Sequence, residues 1–394
     1  MRIKKNQLKV QKIYNKLWYV YFKLFIFLYG LWVRLLIVAS PIFKKKNKTH
    51  QLHLFPYAQK GSDGYTRRFQ EFFPFLKKDH IIYKIHDICH DEDYKNAFNG
   101  KKSNYYLFLL KVYRTRIKQT LQIRYAEKAF VHRNLFPFYY DQKNPLLEKL
   151  ASKLCTEIVY DYWDSVWVYN QELNKRTINY ANTISVANKF LFDYFSQFHS
   201  NVKYFNIGIN LNKYIPKSAY NICENELKLF YTGSPSNVKH MLGQIGQSLV
   251  KVSKTVKIKL IVVSSELPIF TGLDIKQHEF NENTFFKLLN SADAGIYALK
   301  DSTATRGKMA MKILDYSGTG LPILATKYGV SPHLYHGENV LFCDSDENWI
   351  NNVSLIYSDK KLREKLGKKS RFMVENNHSL DHSYNKFKLL FSSL

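Results

Sequence analysis

Two successive α/β units, each built on a parallel sheet and facing the other across a cleft, are the fold class that this sequence predicts, with a basic helical extension at the N-terminus. Three observations lead there. Short apolar runs recur along the chain, separated by stretches with helical spacing. A polar connection containing Pro216 divides these runs into two series. The 394 residues, 45% of them apolar, suffice for two domains of ordinary size.

The extension comes first. Residues 1–50 hold twelve Lys or Arg and no Asp or Glu, within a chain of formal net charge +27. Such a balance favours anionic partners: phosphorylated small molecules, anionic lipid or nucleic acid. No nucleic-acid-binding motif appears, so no nucleic-acid partner is expected. For the body of the chain, a Lys-rich composition that serves solubility stays equally open. Residues 18–43, WYVYFKLFIFLYGLWVRLLIVASPIF, are apolar but interrupted by Lys23 and Arg34. The run is too long for a cleaved signal peptide, and no A-x-A site follows it. A spanning helix places Arg34 near mid-bilayer, at about 2.5–3.5 kcal/mol. An interfacial helix lets Lys23 and Arg34 snorkel while Trp18 and Trp32 sit among headgroups. A long helix packed on the protein's own core is the third reading.

The elements then follow in order. Strands are expected at 51–58, 80–86, 128–133, 156–162, 182–188 and 202–208, with a glycine-containing loop, KGSDGYTRR, at 60–68 and a long basic amphipathic stretch at 103–128. After the connection, strands are expected at 228–233, 256–265, 293–299, 321–326 and 339–344, with helices at 283–291 and 308–318. Two basic helical stretches follow, at 359–375 and 380–393. The chain thus divides into a basic, apolar helix (1–48), a first α/β domain (49–212), a linker (213–226), a second α/β domain (227–375) and a C-terminal helix (376–394) packing back on the first domain. In open α/β sheets, ligands bind at the carboxyl ends of the strands, where the strand order reverses. Cys89, Cys155, Cys223 and Cys343 are far apart and form no C-x-x-C pair, which argues against a metal or redox motif and for a reduced, cytoplasmic compartment.

The segment RGKMAMKILDYSGTGLPILAT (306–326) resembles the signature of retaining glycosyltransferase family 4, of the bacterial cell-surface polysaccharide type. A helix ending in a Leu-Glu-Tyr-Met-Ala-like run, a Gly-Leu-Pro turn and an apolar strand occur in that order. LLNSADAGIYAL (288–299) and LYHGENVLFCDSDENW (334–349) are similar to the flanking family segments. In the first half, 130–167, ending in YDYWDSVW, resembles one branch of the family, and NIGINLNKY (206–214) resembles its hinge motif. The resemblance implies a GT-B fold, two Rossmann-like domains across a cleft. It also implies transfer of a sugar, with retention, from a nucleotide-diphosphate sugar to a lipid-linked or polysaccharide acceptor, with no metal cofactor. Joined to the basic N-terminus, it suggests a cytoplasmic enzyme peripheral on the inner face of the plasma membrane, bound to its anionic surface, with a spanning helix as the alternative.

On a helix, Lys308, Lys312 and Asp315 share one face by their spacing of four and three. The resemblance gives Asp315 the nucleotide ribose and Lys312 the diphosphate; a solvated salt bridge is the plainer alternative. The family's Gly-Arg-x-x-x-x-Lys-Gly loop maps onto YTGSPSNVKHM (231–241), where Gly233 and Lys239 fit and Ser234 replaces the arginine. Gly61 and Gly64 allow close backbone approach to donor phosphates, or form a simple turn. Arg67 and Arg68 meet an anionic acceptor or start a helix. For acid–base work or acceptor positioning the first domain offers His132, Asp161 and Asp164, with His86 beside them. The nucleobase region falls near 278–281. Gly307 stands where the family often has a glutamate, which motivates a second reading, a catalytically inactive GT-B scaffold that binds a membrane partner.

Overall fold

A computed structural model describes residues 2–45 and 47–392. The first sheet contains β1 (His50–Phe55), β2 (Tyr83–Ile85), β3 (Ala126–His132), β4 (Glu157–Tyr162), β5 (Thr183–Val186) and β6 (Val202–Tyr204), in the order β2-β1-β3-β4-β5-β6. The second contains β7 (Glu226–Thr232), β8 (Lys257–Val263), β9 (Asp274–His278), β10 (Ala294–Tyr297), β11 (Ile323–Ala325) and β12 (Leu341–Phe342), in the order β12-β11-β10-β7-β8-β9. Every pairing in both sheets is parallel. Parallel strands are covered by helices on both faces, so β4, β5, β10 and β11 are buried almost throughout, which is why they read as apolar runs. The order reverses between β1 and β3 and again between β7 and β10. The loops after these four strands therefore face the crevice where ligands of such sheets bind.

β9 escapes the sequence reading. Its DIKQH has a single apolar residue, Ile275, and it lies at the sheet edge, where charged side chains are tolerated. Three glycine-containing segments also start helices elsewhere than expected. Residues 60–68 are not all loop: Ser62 accepts from the Tyr65 amide and caps a helix at Asp63–Arg68. Within 231–241, Ser234 caps a helix at Pro235–Val252. The signature helix runs from Met311 to Thr319, starting three residues after Lys308. The cause lies in the first domain. Asn188 Nδ2 donates to the carbonyls of Arg306 (3.2 Å), the last residue of a short helix at Thr303–Arg306, and of Lys308 (3.0 Å), which holds the connection between that helix and the signature helix. At the helix's other end Gly320, at φ 73°, forms the left-handed C-cap that opens the Gly-Leu-Pro turn.

The C-terminal helix, Leu380–Lys388, crosses back to the first domain. Its Phe387 packs on Phe130 (ring centroids 5.2 Å apart) and Phe72 (5.5 Å), within a cluster that includes Leu52 and Phe205. The N-terminal helix spans Arg2–Val38 and lies against the helices Lys102–Gln122 and Leu146–Leu154. It buries Phe22, Val33 and Leu36 there. Its other face exposes Leu17, Leu24, Phe27, Leu31, Leu35 and Val38. Packing on the protein's own core thus accounts for one face of the helix, and Ile13–Val38 is long and apolar enough to cross a membrane.

Candidate functional site

A cleft of about 680 Å³ opens between the carboxyl ends of the two sheets, lined from both domains. The first domain and the connection contribute Gly61, Arg67, Glu71 and Tyr214; the second contributes Gly233, Ser234, Phe280, Lys312 and Asp315. The amino end of the 18-residue helix Pro235–Val252 therefore meets the cleft, and such an end carries free N–H groups and a partial positive charge.

Lys312 sits in the first turn of the signature helix. Its Nζ donates to the Tyr231 hydroxyl (3.1 Å) and lies 4.6 Å from the centre of that ring. No carboxylate among the described residues pairs with it. Burial, reinforced by Lys308, lowers its pKa from the ordinary 10.5 to about 8. Gly233 adjoins it closely: a Cβ there would stand 3.2 Å from Lys312 Nζ. The ammonium thus borders open cleft where β7 ends and the capped helix begins, a position that suits a phosphate.

Asp315 follows one turn later and is buried. Arg67 Nη2 donates to both carboxylate oxygens (2.9 and 3.1 Å), and the Tyr214 hydroxyl donates to one of them. Burial raises the Asp315 pKa, opposed by Arg67 and the Tyr214 hydrogen bond. Arg67 also holds Asp63 (2.8 Å), so one side chain ties the domains together across the cleft. Nearby Glu71 is pushed up by burial, with Arg67 and Lys213 opposing, and its Oε2 has no partner among the described residues.

Gly307 is in contact with the other domain. A Cβ there would fall 1.9 Å from Ser165 Oγ and 2.8 Å from Ser165 N. Ser165 Oγ in turn donates to the Thr303 carbonyl (2.8 Å). A side chain the size of glutamate has no room at Gly307 in this arrangement.

The remaining candidates scatter. Lys308 lies in the loop before the helix, not on its face with Lys312 and Asp315, and it does not line the cleft. Lys239 is exposed on the helix after β7 and also lies off the cleft lining. Gly61 lines the cleft at φ 93°, with nothing within 4 Å of a Cβ position. Gly64 instead lies within the Asp63–Arg68 helix, where a Cβ would stand 3.3 Å from the Trp163 ring. Asp161 has no exposed surface: Arg68 grips both its oxygens, and Ser185 Oγ donates to one (2.6 Å). That carboxylate is committed to joining β4, β5 and the Arg68 helix, which removes it as an acceptor-positioning group. Asp164 pairs with Arg133 and keeps 31% of its side chain exposed. His132 is buried edge-on to Trp163 (4.5 Å), and neither ring nitrogen has a partner among the described residues. Burial, then Arg133 and Arg68, push its pKa well down, so the ring is neutral. His86 is buried against His53 (3.0 Å), inside the first sheet's packing.

Sequence reasoning did not single out Tyr214, Tyr231 or Glu71, and of the nucleobase region it named only the stretch 278–281 and not Phe280 itself. Phe280 stands 67% exposed on the cleft lining, in the stretch expected near the nucleobase. Tyr214 ends the hinge-like run, and Glu71 is a lone acid in an aromatic stretch with no signal of its own. Among the described residues, no group of three or more His, Cys, Asp or Glu side chains is placed to hold a metal ion.

No family model matches the chain, and no curated protein matches it in sequence. Solved structures do match in fold. A glycosyltransferase from Rickettsia africae superposes with a TM-score of 0.61 at 13% identity, covering 87% of this chain and 98% of that one. Sucrose-phosphate synthase from Thermosynechococcus elongatus gives 0.60 at 11% identity, covering 86% and 98%. Anabaena HepE, in complex with UDP and glucose, gives 0.57 at 11% identity, covering 88% and 100%. At such identities the likeness is one of architecture, and the architecture shared over nearly the whole of each chain is the GT-B fold.

Proposed function

We propose that this protein is a glycosyltransferase that moves a sugar from a nucleotide-diphosphate sugar to a lipid-linked or other membrane-bound saccharide, with retention, in cell-surface polysaccharide assembly. One observation carries the reading: a half-buried ammonium with no carboxylate partner among the described residues, Lys312, meets Gly233 and a capped helix N-terminus at the switch point of the second sheet. A leaving diphosphate gains charge in the transition state, and preorganised cations and amides aimed at it lower the barrier most. Lys312 takes that charge, and the amides at the start of the Pro235–Val252 helix share it. Phe280 offers a face to the nucleobase. The resemblance to family 4 assigns the ribose to Asp315; donor entry then exchanges one of its present bonds to Arg67 or Tyr214. With retention by front-face attack, the leaving phosphate takes the acceptor's proton, so no side-chain base is required. The complexes of HepE with UDP and with UDP-glucose support the donor class, since that protein shares the fold.

The exposed apolar face of the N-terminal helix, with lysines around it, supports a peripheral place on the inner leaflet. About 1 kcal/mol per Lys or Arg near an anionic surface adds to apolar burial there. A spanning helix would instead strip Phe22, Val33 and Leu36 from their partners. The scaffold reading draws on the closed contact at Gly307 and the occupied Asp315. Binding of a panel of nucleoside diphosphates to the full chain, followed by hydrolysis of the matching sugar donors, separates the two. One diphosphate bound and its donor turned over is the expected result. No binding by any common nucleoside diphosphate overturns the enzyme reading, and binding without turnover favours the scaffold.

A further inference from the structure

A second cavity, of about 340 Å³, lies between the N-terminal helix and the segment 136–146. Its helical wall is Lys23, Phe27, Gly30 and Arg34, spaced by four, three and four residues and so one stripe of the helix. Lys143 stands on the facing segment, and the floor is apolar, with Phe136 and Leu146. Arg34 and Lys143 make no ion pair and no hydrogen bond among the described residues, while Lys23 interacts with the hydroxyl-bearing rings of Tyr139 and Tyr19. Three cations thus surround the space against a single acid, Asp141. Phe27, at the mouth, is 62% exposed and continues into the outward ridge of Leu31 and Leu35. A polar, cationic hollow opening onto an apolar ridge is complementary to an amphiphile with an anionic head.

We propose that this cavity binds the phosphate headgroup of an anionic membrane lipid, with Lys23, Arg34 and Lys143 around the phosphate and the acyl chains along Phe27, Leu31 and Leu35. This rests on the membrane part of the proposed function and adds a defined site to it. The Arg34 guanidinium and the Lys143 ammonium, both exposed, are free to make charge-assisted hydrogen bonds to a phosphate held above the apolar floor. Tyr139 lines this cavity and also a narrower pocket with Tyr57, Arg133 and Tyr140. Arg133 there holds Asp164, so the lipid site adjoins the acceptor side of the first domain.

The test is partitioning of the full chain onto phosphatidylcholine vesicles with and without phosphatidylglycerol. Gly30→Phe fills the cavity without changing charge; a Cβ at Gly30 meets only Leu146, at an ordinary 3.6 Å. Arg34→Gln with Lys143→Gln removes two cavity charges, and Lys44→Gln with Lys45→Gln removes two outside it. Two surface charges are worth roughly a tenfold to thirtyfold change by themselves. The expected result is that Gly30→Phe weakens partitioning onto phosphatidylglycerol vesicles at least about fivefold, and that the cavity pair exceeds the Lys44/Lys45 pair. Nucleoside-diphosphate binding, unchanged, shows that each variant is folded. If the wild type binds these vesicles but Gly30→Phe matches it and the two charge pairs are equal, the site is overturned and only surface attraction stands. If the wild type ignores phosphatidylglycerol vesicles, the membrane reading itself falls.

Discussion

Replacing Lys312 by Met should make the protein more stable and a worse binder of its donor. The ordinary lysine pKa of 10.5 falls to about 8 in the folded chain. At 1.36 kcal/mol per tenfold change in proton affinity, that difference is a cost of about 3 kcal/mol for holding the ammonium half-buried. The sign follows from proton counting. Below pH 8 both states hold the proton and the folded state bears the whole cost. Between pH 8 and 10.5 the unfolded chain binds more protons, so this contribution to stability improves as pH rises. Above 10.5 the cost is gone. Lys312→Met removes it at every pH. Tyr231 still donates to the Asn237 carbonyl (3.2 Å), so no new unpaired hydroxyl arises. Urea unfolding at pH 7 should show the variant more stable by up to about 3 kcal/mol, with the gap shrinking to about half near pH 9.5. Calorimetric titration should show nucleoside-diphosphate affinity falling about 10- to 100-fold, the worth of a charged hydrogen bond. A variant no more stable at pH 7, or a gap that does not narrow on raising pH, would refute the account of Lys312 as a strained cation awaiting an anion.

Two further outcomes follow from the interdomain contacts. Arg67→Ala leaves Asp315 buried without its cation and should cost about 3–5 kcal/mol in urea unfolding. Asp315→Asn should cost less, because Arg67 keeps Asp63; the reverse order would contradict the pair as drawn. Gly307→Ala forces a methyl into Ser165 and should cost about 1–3 kcal/mol, with partial recovery in the double variant Gly307→Ala, Ser165→Gly. Thermal melts of the single and double variants check this, and equal losses in both would place the strain elsewhere.

The buried strands were legible because parallel sheets demand long apolar runs, and β4 or β10 satisfies that demand without help from the rest of the chain. β9 was not, since at an edge the pairing partner supplies the order and the side chains need not be apolar. Of the site, Lys312 and Asp315 could be named from the signature segment, because one short helix fixes their relative positions, and Gly233 from the loop that follows β7. Lys308 misled for the complementary reason: Asn188, in the other domain, decides where that helix begins. The roles of Arg67 and Tyr214 depend on contacts across 248 and 101 positions of sequence, which no local pattern encodes. Asp161 looked like a strand-end acid free for substrate, and only the three-dimensional neighbourhood reveals Arg68 stacked on Phe205 (3.6 Å) and closing over it.

The return of the Leu380–Lys388 helix has a consequence for how the chain is made. Tyr384, Phe387, Leu390 and Phe391 complete a cluster whose other buried members, from Leu52 to Phe205, leave the ribosome before any of the second domain. The first domain is begun first and finished last. During synthesis its Phe72, Phe130 and Phe205 must wait, exposed or covered by a chaperone, until the whole second domain has emerged. Quality control acting on nascent chains would therefore read completion of the second domain through the surface of the first.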